Sequence, residues 1–264
     1  MSFFDTRHLS AGYGKKQIVR DVSFSLEAGS VMGILGANGS GKTTLIKAIC
    51  GILPHEGSCC LEDTQLEGLS PRQIAKLVSY IPQRSGISID ISALDVVLMG
   101  FNAHLKLLEH PTKAMVEEAR RALSRVGLAD QENTNYLHLS EGQKQLCILA
   151  RTIVSGGRLL LLDEPESALD FQHRHRMLDM ICTWSEQTKG AAIVVLHDPV
   201  LALNYCDKLM VLNDGEVLDI LSPGADPLEK MEQVLNRVYG AISLQLCKNR
   251  SGREVLTMLK EDTL

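Results

Sequence analysis

The stretch Gly36-Ala37-Asn38-Gly39-Ser40-Gly41-Lys42-Thr43 constrains this chain more than any other part of it. It fits the pattern G-x-x-x-x-G-K-[ST], directly after one apolar run (Val31 to Leu35) and directly before another, helix-like one (Thr44 to Ile49). A strand that feeds a glycine loop and then a helix is the context in which that pattern has physical meaning. Glycines at 36, 39 and 41 let the backbone turn tightly and aim successive N–H groups inward, an anion nest capped by a helix N-terminus. Lys42 is placed to reach β- and γ-phosphates and the Thr43 hydroxyl to ligate magnesium. With both flanks present, the stretch reads as a nucleotide site and not as a chance glycine-rich turn.

A second signal lies further on, in Leu159-Leu160-Leu161-Leu162-Asp163-Glu164-Pro165. An unbroken aliphatic run is the signature of a strand covered on both faces. The acid that ends it sits at a carboxyl edge, where Asp163 can hold magnesium beside the phosphate loop. Glu164 then has the position of a group that orients or deprotonates water, for which hydrogen-bond reach and a suitable pKa are the requirements.

The rest of the chain reads as an α/β core with additions. Strand-like stretches at Phe3 to Leu9 and Gln17 to Leu26 flank the turn Ala11-Gly12-Tyr13-Gly14, and further strands are expected at 57–62 and 78–81. Ser70-Pro71 marks a helix start, serine as cap and proline in the first turn. From Ser92 to about Gly127 the apolar period becomes helical, which points to a helical subdomain inserted at about 84–157, with Ser140 starting its last helix. A helix over 170–188, a strand over 191–196 and a hairpin turning at Asp214-Gly215 follow. After Ser222-Pro223-Gly224 the composition shifts, so the chain divides into a main domain over 3–222 and a small appendage over 223–264.

Composition narrows the function classes. A net charge of -5 argues against a broad nucleic-acid-binding surface. Seven cysteines form no C-x-x-C pair and no spacing with histidine that suggests zinc, so buried free thiols in a reducing cytosol are expected. Met1 to Asp5 show no basic region followed by an apolar core, so no signal peptide is expected. No run approaches the roughly 18 apolar residues that cross a bilayer. His173-Arg174-His175-Arg176 reads as an exposed helix face, because histidines two apart on a helix diverge too far to share one ion.

Leu139-Ser140-Glu141-Gly142-Gln143, one helix before the aliphatic acid strand, resembles the signature peptide of the ATP-binding-cassette (ABC) ATPases. Other matches occur in that family's order: Tyr13 where an aromatic ring stacks on adenine, Gln83 after Pro82 as the glutamine loop, Ser167-Ala168-Leu169-Asp170 after the catalytic glutamate, and His197 as the switch histidine. The resemblance covers roughly 3–221. It implies a P-loop cassette fold, with a mixed core sheet, an antiparallel β subdomain and an inserted helical subdomain. It also implies ATP with Mg2+ and hydrolysis by Glu164, His197, Gln83 and Lys42. The implied nucleotide contacts are Tyr13, Gly36, Ala37, Asn38, Gly39, Ser40, Gly41, Lys42, Thr43 and Thr44. Ser140, Gly142, Gln143 and Asp170 complete a composite site, and Thr43, Gln83 and Asp163 hold the metal.

One phosphate loop and one signature per chain imply a homodimer enclosing two ATP molecules. Two positions depart from the family's pattern: Glu141 stands where glycine is usual, and Glu166 where a small hydroxyl residue is usual. Glu141 weakens closure if it points inward and matters little if it faces solvent; Glu166 is expected to alter the surface around the following loop. Among function classes, a transporter subunit fits better than a cassette acting on DNA or ribosomes, which usually has two cassettes or a coiled-coil insertion, and better than an unrelated kinase or GTPase. The stretch from Asp95 to Leu105 and the helix around Val238-Tyr239-Gly240 resemble importers of iron-siderophore, haem and cobalamin complexes. Zinc, manganese, molybdate or nickel-cobalt import are the alternatives. That architecture implies integral membrane permeases as partners, docked on 84–108, a substrate-binding protein outside, and a place on the cytoplasmic face of the cell membrane.

Overall fold

The aliphatic run of 159–162 is divided residue by residue between two cores. Leu160 and Leu162 enter one apolar cluster and Leu159 and Leu161 the other, as period-two side chains of a doubly covered strand must. The two neighbouring strands behave alike. In the computed structural model, which describes residues 2–83, 86–106 and 108–262, these strands belong to one central sheet.

Twelve strands and eight helices are assigned among the described residues. Strands β1 (Phe4–Tyr13), β2 (Lys16–Leu26), β4 (His55–Leu61) and β5 (Thr64–Gln65) form an antiparallel sheet in the order β2-β1-β4-β5. Strands β3 (Val31–Leu35), β6 (Val78–Ile81), β7 (Leu159–Asp163), β8 (Ala191–Val195), β9 (Lys208–Asn213) and β10 (Glu216–Leu221) form the central sheet, in the order β10-β9-β3-β8-β7-β6. All its pairings are parallel except β9 with β10. Their two-residue turn places Asp214 at φ 48° and Gly215 at φ 83°, the doubly left-handed geometry for which Asp-Gly is suited.

Helix α1 (Lys42–Ile49) and the antiparallel sheet share one core with a face of the central sheet. Helices α3 (Ala93–Leu98), α4 (Lys113–Arg125) and α5 (Glu141–Val154) pack together against the other core. Each starts at a serine or threonine whose side chain accepts from the backbone three residues on: Ser92, Thr112 and Ser140. Helix α2 (Pro71–Leu77) is capped by Ser70, as its sequence leads one to expect. Helix α6 (Phe171–Thr188) precedes β8, and α7 (Pro199–Tyr205) follows it.

The C-terminal part is α8 (Leu228–Tyr239) and a hairpin of β11 (Ile242–Lys248) with β12 (Glu254–Lys260). Asn204 of α7 clamps it: its amide donates to Leu256 O at 2.8 Å and accepts from Leu256 N at 2.9 Å. No helix among the described residues is long and apolar enough to cross a membrane.

Two local expectations change. Strand β1 continues through 11–13, so Tyr13 is a strand-end residue and the turn is Gly14-Lys15. The partner strand β2 supplies its hydrogen bonds, and no local sequence pattern displays that. His173 and His175 are not a free polar face: His173 Nδ1 lies 2.8 Å from Asp170 Oδ1, and His175 Nδ1 lies 2.8 Å from the Tyr205 hydroxyl. Strand β8 lies between β3 and β7, so the acid strand reaches the phosphate loop across one intervening strand. Of the expected permease-docking stretch 84–108, residues 84, 85 and 107 lie outside the described residues.

Candidate active site

Four neighbouring parallel strands deliver the site from their carboxyl ends: β3 the glycine loop, β8 His197, β7 Asp163 and Glu164, and β6 Gln83. The glycine loop is held close to the sheet. A Cβ on Gly36 would lie 2.2 Å from Leu212 O, and Gly41 sits at φ 102° as the N-cap of α1, so glycine alone fits either position. Lys42 folds back over the loop, donating to Gly36 O at 2.8 Å and to Ala37 O at 3.1 Å. Burial pulls its ammonium below the ordinary lysine value, and the charges of Glu164 and Asp163 oppose that pull. Ser40 Oγ is buried with no hydrogen-bond partner among the described residues, and a phosphate oxygen can accept from it.

Thr43 Oγ1 donates to Asp163 Oδ1 at 3.0 Å. Burial pushes the Asp163 carboxyl above its usual range, with the Thr43 bond drawing it back. A hydroxyl and a carboxylate, both oxygen donors, meeting at the edge of an anion nest form a donor set suited to a hard divalent ion.

Glu164 carries the most constrained geometry of the site. Its φ is 53°, left-handed for a non-glycine residue, a conformation that costs about 1–3 kcal/mol and that surrounding bonds must impose. The imposing bonds are Glu164 N to Val195 O at 3.2 Å and Ser167 N to Glu164 O at 3.2 Å. The turn aims the carboxylate so that one oxygen, Oε2, accepts from Gln83 Nε2 and lies 2.8 Å from His197 Nε2. Glutamine loop, glutamate and histidine thus converge on a single atom.

A cleft of about 370 Å3 joins these groups to Tyr13, lined by Tyr13, Lys16, Ile18, Asn38, Gly39, Gly41, Lys42, Thr43, Thr44 and Glu164. Tyr13 is 52% exposed, so its ring is open to a stacking partner. Ser140, Gly142, Gln143 and Asp170 do not line this cleft. Ser140 and Gln143 cap each other (Gln143 N to Ser140 Oγ 3.2 Å, Ser140 N to Gln143 Oε1 2.9 Å). Asp170 caps α6 by accepting from His173 N at 2.9 Å. Gly142 packs on the loop after the acid strand, where an added Cβ would lie 3.4 Å from Leu169 Cδ2. Glu141 faces solvent and pairs with Lys144 Nζ at 2.7 Å, so its charge does not point inward.

Two residues named from the sequence take roles that the sequence does not display. Glu166 is no surface feature: it is 2% exposed, its Oε1 accepts the backbone N–H of His197 at 2.9 Å, and its buried Oε2 has no partner among the described residues. Burial pushes its carboxyl upward, against the His197 backbone bond. Tyr239, at the end of α8, lies against the backbone of Gly36, and burial raises its hydroxyl to about 12. The appendage therefore touches the phosphate loop, a contact that only the tertiary fold creates.

Comparison with known families matches residues 19–167 to the family described as ABC transporter. The chain is 36% identical over 220 residues to the "Probable iron chelatin transport ATP-binding protein" of Helicobacter pylori, covering 81% of this chain and 84% of that one. It is 35% identical over 243 residues to the "Hemin import ATP-binding protein HmuV" of Bordetella pertussis, covering 89% and 90%. A solved structure of a metal-chelate type ABC transporter in an inward-facing conformation superposes with a TM-score of 0.83 at 23% identity, covering 99% of each chain; at that identity it supports the fold. The chain belongs to the ABC transporter family and carries its ATP-binding cassette.

Proposed function

We propose that this chain is the ATP-hydrolysing subunit of an importer for a metal chelate of the iron-siderophore, haem or cobalamin class. The convergence of Gln83, Glu164 and His197 on one carboxylate oxygen at the mouth of the phosphate cleft supports hydrolysis. The names of its relatives support chelate import.

In this reading the backbone nest from Gly36 to Lys42 and the Lys42 ammonium hold β- and γ-phosphates. Thr43, Asp163 and Gln83 hold magnesium, which supplies charge neutralisation at the phosphates. Tyr13 stacks on the base. Glu164 accepts a proton from water at Oε2, the oxygen that His197 and Gln83 orient. His197 Nε2 then donates toward a γ-phosphate oxygen. Ser140 and Gly142 offer the N-terminus of α5 to a nucleotide held by another copy, with Gln143 and Asp170 fixing that surface. Two copies head to tail complete two sites. Permease subunits dock at the helical face, where Ile89 and Met99 are exposed (59% and 39%).

The test is reconstitution with the membrane subunits that co-purify with it, in vesicles loaded with ATP. Uptake of a labelled ferric chelate, haem or cobalamin that stops with Lys42→Ala is the expected result. Uptake of free divalent ions or oxyanions and of no chelate would replace the cargo assignment.

Glu166 gives a separate expectation. Its carboxylate holds the main chain of His197, so Glu166→Ala orphans a buried N–H at a cost of about 1–3 kcal/mol. The expected result is about a tenfold fall in kcat with ATP affinity changed less than about twofold, since Glu166 touches no part of the cleft. Glu166→Gln keeps an acceptor and should retain most turnover. It should also alter stability with pH. The folded pKa lies above the ordinary 4.5, so wild type is favoured by protonation at low pH and loses that contribution as pH rises through the raised value. Melting curves should show Glu166→Gln gaining on wild type as pH rises from the ordinary 4.5 through the raised value. Parallel curves would mean that burial does not raise the Glu166 carboxyl in the folded protein.

A further inference from the structure

His55, Cys59 and Glu67 bring three different metal-ligating groups together outside the nucleotide cleft. His55 and Cys59 are four apart on β4, and even spacing puts strand side chains on one face. Glu67 arrives just past β5, pinned by Leu66 N donating to Cys59 O at 2.9 Å. His55 Nε2 lies 3.1 Å from Glu67 Oε1 and 4.0 Å from Cys59 Sγ, and the three donor atoms all fall within 4.8 Å of one another. A tetrahedral zinc with bonds of about 2.0–2.3 Å spaces its ligands about 3.3–3.6 Å apart, so small side-chain shifts would close this set on an ion.

The surroundings are those of a supported site. Glu67 Oε1 accepts from Cys59 N at 2.6 Å. With its amide turned to face them, Gln65 donates to Glu67 Oε2 at 3.0 Å and to Cys59 O at 3.1 Å. Such bonds orient ligands before the metal arrives. Cys59 is fully buried, while the side chains of His55 and Glu67 are 11% and 35% exposed, so the site opens to solvent on the Glu67 side.

We propose that His55, Cys59 and Glu67 form a binding site for a borderline-soft divalent transition ion of the zinc class, with a fourth position open to water. Thiol and imidazole donors select such ions over magnesium or calcium. A thiolate, a carboxylate and a neutral imidazole around a dication leave the centre without net charge. Binding displaces the proton of Cys59 Sγ to solvent. The bound form is the thiolate, so affinity rises with pH. The ion would staple the start of β4 to the chain beyond β5. The spacing H-x3-C-x7-E matches no sequence signature for zinc, which is why the reading from cysteine spacing missed it.

The test uses the full-length, reduced, metal-free protein without nucleotide, titrated with Co2+. One equivalent should bind with thiolate-to-cobalt charge-transfer absorption and the visible bands of a tetrahedral ion, and Zn2+ should displace it. Cys59→Ser should abolish the charge-transfer band; His55→Ala and Glu67→Gln should each weaken binding about tenfold or more. Cobalt held only at Thr43 and Asp163, two oxygen donors, gives no band that responds to His55→Ala or Glu67→Gln. Circular dichroism and melting temperature check that each variant folds, and the two partly exposed ligands serve if Cys59→Ser does not. Absence of the band in wild type, or a band unchanged in His55→Ala and Glu67→Gln, would overturn the site.

Discussion

Glu164→Gln is expected to leave ATP bound, hold two copies together and lower hydrolysis by about 10²–10³-fold, within the usual range for loss of a positioned general base. The substitution preserves shape, so the left-handed turn at φ 53° and its bonds to Val195 O and Ser167 N stand. What it removes is the proton-accepting charge at Oε2, where Gln83 and His197 converge. It also removes one of two adjacent carboxylates, Asp163 and Glu164, from beside a polyanionic ligand. That repulsion opposes closure, so affinity for ATP should hold or improve while turnover collapses. Phosphate release measures the second effect. Gel filtration with Mg2+ and ATP measures the first, as a doubling of mass that ADP does not produce. Full hydrolysis by the variant would reject Glu164 as the catalytic carboxylate. Hydrolysis lost without the mass shift would instead leave the head-to-tail arrangement unsupported.

What the sequence displays depends on whether a feature is local. The loop 36–43 and the strand 159–163 each carry their own context, an apolar strand ending in a turn with special residues, and the structure has both in place. Helix starts at Ser70, Ser92 and Ser140 are equally legible, because capping involves residues three apart. The strand order is less so. That β8 lies between β3 and β7 is set by pairing of β3 with β8 across more than 150 residues, and pairing of β7 with β8 brings His197 beside Glu164. The same holds for Glu166, whose carboxylate meets the backbone of His197 beyond β8, and for His55, Cys59 and Glu67, which meet because a hairpin folds. Ser140, Gly142 and Asp170 show a different limit. Within one chain their side chains and backbone serve helix caps and loop packing, and the expected contact with nucleotide belongs to an assembly of two.

Lys42→Ala should cost about a hundredfold or more in affinity for ATP, while sparing the fold. A charge-assisted hydrogen bond contributes about 1.5–3 kcal/mol, and a lysine shared between two phosphates forms more than one; about 1.4 kcal/mol is already tenfold. In the free protein the ammonium satisfies itself on Gly36 O and Ala37 O, but burial works against its charge and lowers its pKa. Removing it therefore exposes two carbonyls at the edge of an open cleft, where water can replace the donor, and relieves a desolvated cation. The two effects offset, so the melting temperature without nucleotide should barely move, whereas the rise that ATP confers on wild type should vanish. The sign of the pH dependence follows from the same shift. Phosphates favour the charged amine, so binding by wild type takes up protons in the alkaline range, and affinity falls as pH rises through the lowered lysine value. Lys42→Ala should lose that alkaline fall along with the affinity. A fluorescent ATP analogue titrated at neutral and alkaline pH reads both, and unchanged affinity in the variant would contradict the role given to the loop.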